Sequence, residues 1–159
     1  MLFRSKALGM TPYLAPHLLA RYGYLAGTDE QRAADINQFF ADSKISLLLP
    51  LRGGWGCGRI LPYLDYEIIK KNPKVLVGFS DLTALILAVY AKTGLVTFHG
   101  PNGLTSWRTE QVNWFRRVLF AGEAVTFRNQ VDGDDTGRLM AVKNRIQTIT
   151  PGRARGRLL

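Results

Sequence analysis

The chain has 159 residues, 47% of them hydrophobic, with a net charge of +9 and a pI near 10.1. That length suits one domain, or one domain plus a fragment, with enough apolar residues for a real core, and no apolar run approaches the roughly 18–20 residues that span a bilayer. A single cysteine, Cys57, excludes an internal disulfide framework and a multi-cysteine zinc site, and a reducing, cytoplasmic home is the simplest reading.

Residues 1–24 are poorly patterned. They are basic, with no acid before Asp29, but Pro12, Pro16 and His17 interrupt any signal-peptide core. Thr28 then opens TDEQRAADINQFFAD, where Gln31 three residues on completes a capping-box pattern and Asp29 and Glu30 occupy the first turn of a predicted helix. ISLLLPL (45–51) reads as a strand buried on both faces. The glycine-rich RGGWGCG (52–58) follows, and then a helical stretch over 59–72 with Pro62 near its start. KVLVGFS (74–80) is a second buried strand, and DLTALILAVYAKTG (81–94) a helix with Asp81 in its first turn and Gly94 placed to stop it. LVTFH (95–99) is a third strand, ended by Gly100-Pro101. A further amphipathic helix covers 109–120, with Val112, Phe115, Val118 and Leu119 on one face. AVTF (124–127) is a candidate fourth strand, 129–137 a turn-rich linker, and 138–152 more β-like.

Strands alternating with helices predict an α/β unit with a mainly parallel sheet flanked by helices. The loops leaving its strands, RGGWGCG, GFSD and HGPNG, should share the carboxyl edge, where chemistry gathers in such sheets. Ser80 in GFSD has two readings. On a sharp strand-to-helix turn its hydroxyl would stand clear as a nucleophile, with the Asp81 N–H and the helix dipole beside it. Alternatively it simply caps the helix, a very common role. The pattern also lacks the second glycine of G-x-S-x-G, because Leu82 stands there. The glycine loop matches neither a dinucleotide fingerprint nor a Walker A loop. It is a flexible connection, or it donates a second oxyanion N–H from Gly53 or Gly54 with Trp55 as a pocket wall.

Other reactive groups have weaker cases. His17 lies in an unpatterned segment. His99 ends a strand on the active edge and could reach Ser80, although a hydrogen-bonding support role is commoner there. Cys57 lacks a matched histidine. No H-x-x-x-H or carboxylate cluster points to a metal. The basic residues are dispersed except in the tail PGRARGRLL, so nucleic-acid binding has little support.

Together YLAGTDEQRAADIN (24–37), RGGWGCGRILPYLDY (52–66), NPKVLVGFSDLTAL (72–85) and GLVTFHGP (94–101) resemble the LD-carboxypeptidases, or muramoyltetrapeptide carboxypeptidases, a family that includes the microcin C self-immunity peptidases. The resemblance covers roughly residues 20–159. It implies a two-domain serine peptidase with a Ser-His-Glu triad, acting in the cytoplasm on the terminal D-alanine of muropeptide tetrapeptides during peptidoglycan recycling. Ser80 matches the nucleophile, and Asp81 and Gly54 the oxyanion-hole region. His99 matches a family position other than the triad histidine, and it remains, with Gly53 and Trp55, a candidate for the substrate pocket. No cofactor or metal is implied, nor any nucleic-acid or membrane partner. The substrate is a muropeptide or short peptide, or in the microcin branch a peptidyl nucleotide, and homodimers are usual.

The expected organisation is a nucleophile domain over 1–128 lacking the family's first strand, then a linker and truncated start of the second domain over 129–159. On that reading the chain is a fragment without the triad histidine and glutamate. It is then inactive alone, a nonenzymatic piece, or one half of a split enzyme completed by a separately encoded partner.

Overall fold

Thr28 starts the first helix as its pattern predicts. In the computed structural model, which describes residues 8–126 and Gly152, the Thr28 hydroxyl accepts from the Gln31 N–H at 3.3 Å and the Gln31 side chain accepts from the Thr28 N–H at 2.9 Å. Helix α1 (Asp29–Ala41) follows and buries Ala33, Asp35 and Phe40. Strand β1 (Leu47–Leu48) leads to a loop and the short helix α2 (Cys57–Ile60). A 3-10 turn (Leu61–Tyr63) and helix α3 (Tyr66–Lys71) come next. Then follow β2 (Val75–Gly78), α4 (Leu82–Thr93), β3 (Phe98–His99) and α5 (Thr109–Phe115), which continues as a π-helical turn over Arg116–Phe120.

The three strands form a parallel sheet in the order β1-β2-β3, with Leu48 opposite Leu76 and Gly78 opposite His99. The fold is therefore α/β with helices packed on a parallel sheet. Its core joins Phe40 of α1, Ile69 of α3, Leu76 of β2 and Leu85 and Val89 of α4, each almost wholly buried. Helix α4 contributes Leu82, Leu85, Ile86 and Val89, the spacing of one helical face. Gly94 ends it in the left-handed region at φ 76°, where a Cβ would be strained.

Several elements differ from the sequence-based expectation. The stretch 59–72 is not one helix. Pro62 sits in the 3-10 turn, and the Asp65 carboxylate accepts from the Ile68 N–H at 2.9 Å, capping a new helix. The glycine loop ends at Gly56, since Cys57 and Gly58 already belong to α2. Strands β1 and β3 are two residues long rather than seven and five. Pro50 and Pro101 follow them closely, and a proline offers no N–H to a ladder. Of the four apolar residues expected on one face over 109–120, only Phe115 is buried. Residues 124–126 form no strand. The expected linker and β-like stretch, 129–151, lie outside the described residues. Within the described residues no helix is long and apolar enough to cross a membrane.

Candidate active site

Ser80 stands exposed between the end of β2 and the start of α4. Its φ of 65° makes it the one non-glycine residue with a positive φ among the described residues. A side chain in that region costs of order 1–3 kcal/mol and persists where the surroundings enforce it, often at functional sites. Gly78 is part of that enforcement. A Cβ there would lie 2.8 Å from the Leu82 Cβ, so its absence lets α4 pack directly against the strand end.

The geometry bears directly on the capping reading of Ser80. Its carbonyl accepts from the Thr83 N–H at 2.9 Å, but α4 has no side-chain cap, and the residue in the cap position is Asp81. Among the described residues nothing hydrogen-bonds the Ser80 hydroxyl, so the capping role does not describe this serine. Asp81, expected in the first turn, instead sends its carboxylate across to the Cys57 N–H at 2.9 Å. That bond ties the elbow to the start of α2, immediately after the glycine loop.

The glycine loop lies against the serine. A Cβ on Gly53 would be 3.0 Å from the Ser80 Cβ, 3.2 Å from its Oγ and 3.4 Å from the Asp81 N. No acceptor among the described residues takes the N–H of Gly53, Gly54 or Asp81. The Asp81 N–H and the N-terminal end of the 12-residue helix α4 follow Ser80 directly in the chain, which puts positive dipole beside the elbow. Trp55 is 78% exposed, outside the core.

The remaining reactive groups fall elsewhere. His17 bonds Asp35 twice, N–H to Oδ2 at 3.1 Å and Nδ1 to Oδ1 at 2.7 Å, which pins the N-terminal segment to α1. The His99 ring meets Phe79 edge-on, with centroids 6.3 Å apart. Neither histidine hydrogen-bonds Ser80. Burial pushes the Cys57 thiol up to about 12, with the Asp81 charge adding to it, and a thiol so protonated is a poor nucleophile. A groove of about 590 Å³ lies near Ser46, Lys74, Val75 and Phe98, at the amino ends of the strands, away from the serine.

Sequence reasoning missed Asn102. It is 3% exposed. Its Oδ1 accepts from the Phe79 N–H at 3.2 Å and its Nδ2 donates to the Phe79 carbonyl at 3.5 Å. The signal available was a side-chain amide just after Gly100-Pro101, where the main chain cannot continue pairing.

The sequence profile of the LD-carboxypeptidase N-terminal domain matches residues 2–100. A probable murein peptide carboxypeptidase of Bacillus subtilis is 33% identical over 156 residues, covering 96% of this chain and 45% of that protein. The microcin C7 self-immunity protein MccF of Escherichia coli is 44% identical over 78 residues, 49% of this chain and 23% of that protein. A structure of MccF in complex with glutamyl sulfamoyl guanosine superposes with a TM-score of 0.67 at 31% identity, over 72% of this chain and 36% of that one. The muramoyltetrapeptide carboxypeptidase of Oxalobacter formigenes superposes with a TM-score of 0.68 at 26% identity, over 74% and 41%. The chain spans less than half the length of each of these proteins.

Proposed function

Since the chain belongs to the LD-carboxypeptidase family, we propose that it is the nucleophile-bearing domain of a cytoplasmic serine peptidase that removes the terminal D-alanine from muropeptide tetrapeptides in peptidoglycan recycling. One observation carries the reading. Ser80 is held at φ 65°, exposed, with Gly53 of the glycine loop against its side chain and the Asp81 amide next in the chain. The serine hydroxyl attacks the carbonyl that precedes the terminal D-alanine. The backbone amides of Gly54 and Asp81 receive the developing oxyanion, D-alanine leaves, and water then releases the acyl group from Ser80. Trp55 and His99 border the substrate. This acyl transfer uses no metal or organic cofactor.

Attack requires a base. The chain has two histidines, one occupied by Asp35 and the other packed on Phe79. The family resemblance places the base and its orienting carboxylate in a second domain, and on this reading they reach Ser80 from such a domain or from a separate polypeptide. The test is D-alanine release from a tetrapeptide muropeptide. We expect only a slow residual release from the chain alone, and full release when it is joined to the second half of a family relative. Release by the chain alone, abolished in Ser80→Ala, would show that the base lies within it. A joined protein that cleaves equally well without the Ser80 hydroxyl would remove the serine mechanism.

The similarity to MccF supports a second reading, a peptidase acting on a peptidyl or aminoacyl nucleotide. The same joined protein offered both substrates distinguishes the two by kcat/KM. Activity on neither would favour a nonenzymatic fragment.

A further inference from the structure

We propose that Asn102 is a positioning residue for the serine elbow, its side-chain amide replacing a peptide group that neither neighbouring strand can supply. Phe79 is the last residue before the left-handed Ser80, and both strands beside β2 stop short of it. The last main-chain bond from the β3 side runs from the Gly100 N–H to the Gly78 carbonyl at 3.1 Å. Pro101 comes next and has no N–H. On the other side β1 ends at Leu48, and Pro50 likewise has none to offer. Among the described residues Phe79 thus has no main-chain partner.

Asn102 meets both needs at once. Its Oδ1 takes the Phe79 N–H and its Nδ2 serves the Phe79 carbonyl, and only this orientation of the amide satisfies both groups. The main chain that carries this amide is itself fixed. The Asn102 N–H donates to the Thr105 hydroxyl at 3.1 Å, and its carbonyl accepts from the Thr105 N–H and from the Trp107 indole, each at 3.1 Å. The following residues anchor the loop to the end of β1, through Gly103 N–H to the Pro50 carbonyl at 2.9 Å and Leu104 N–H to the Leu51 carbonyl at 2.8 Å. The chain therefore enters Ser80 from a residue clamped on both polar groups, and the elbow cannot relax by turning Phe79.

This inference rests on Ser80 being the nucleophile, but its test reads backbone order and not turnover. Amide exchange and the Ser80 backbone coupling constant are measured by NMR on the full chain for the wild type, Asn102→Ala and Asn102→Asp. We expect Asn102→Ala to speed exchange at Phe79 by roughly three- to tenfold and to shift the Ser80 coupling, with Leu76 unchanged. Asn102→Asp keeps the acceptor and loses the donor, so its exchange at Phe79 should fall between the two. Unchanged Phe79 and Ser80 signals in Asn102→Ala would overturn the proposal. So would equal acceleration at Leu76 and Phe79, which would make Asn102 a general support of the fold. A joined enzyme indifferent to Ser80→Ala would remove the nucleophile reading and leave the backbone result standing.

Discussion

Gly53 and Gly78 lie on two sides of one serine, and a methyl group at each should have a different consequence. At Gly78 the added Cβ would meet the Leu82 Cβ at 2.8 Å in a buried helix–strand contact. Backbone or helix must move, and such overpacking costs typically about 1–3 kcal/mol. At Gly53 the Cβ would meet the exposed Ser80 side chain at 3.0–3.2 Å and crowd the Asp81 amide, where a small shift of the loop relieves it. Gly78→Ala should therefore lower the urea midpoint of the chain. Gly53→Ala should leave the midpoint nearly unchanged while reducing D-alanine release by the joined protein by up to roughly 10²-fold, because the added methyl displaces the Ser80 hydroxyl from its attacking position. Equal stability losses in the two variants would contradict this division. The serine's two readings could not be separated in the sequence, because Ser80 follows a strand and precedes a helix in both. The missing cap bond removes the capping reading, and the left-handed φ shows an elbow that no local signal announced.

At the scale of elements, helices were legible where their signals are local. Thr28 with Gln31, and the spacing of Leu82, Leu85, Ile86 and Val89, define α1 and α4 without reference to the rest of the chain. Strand lengths were not legible, since they depend on which neighbour has an N–H to offer across the ladder. Asp65 was also hidden, because an acid within a charged helical stretch looks like surface until its bond to the Ile68 N–H is seen. The link between α1 and α2 leads to a pH prediction. Asp29 pairs with Arg32 on its own helix and with Arg59 on α2, the latter at 2.9 Å. The Arg59 hydrogen bond, foremost, holds the Asp29 carboxyl below its ordinary 3.8. A depressed pKa means the unfolded chain binds the proton first. The contribution is thus present above about pH 3.8 and lost as pH falls through and below it. Asp29→Asn should flatten the acid side of a urea-midpoint profile between pH 5 and 3, with a remainder from Glu30, whose carboxyl is lowered chiefly by a backbone hydrogen bond. An acid limb identical to the wild type would place the pH dependence elsewhere.

At the scale of the whole molecule, the parallel sheet brings residues from three separate loops to one edge: Gly53 after β1, Ser80 after β2 and Asn102 after β3. That gathering was legible, because parallel strands all point their carboxyl ends the same way. A lone nucleophile with oxyanion donors but no base has a distinctive energetic signature. Triad members act as a unit, so removing one costs nearly as much as removing all, and the residual rate comes from binding and the oxyanion hole. If the base is supplied by a second domain, the chain alone already sits at that residual level, and Ser80→Ala should barely change its slow D-alanine release. In the joined protein the same substitution should lower kcat by roughly 10⁶-fold. Both rates come from one D-alanine assay on four proteins, and their ratio is the coupling between the serine and the supplied base. A Ser80→Ala effect of equal size in the chain and in the joined protein would mean that no coupling exists, and that the group activating Ser80 lies within these 159 residues.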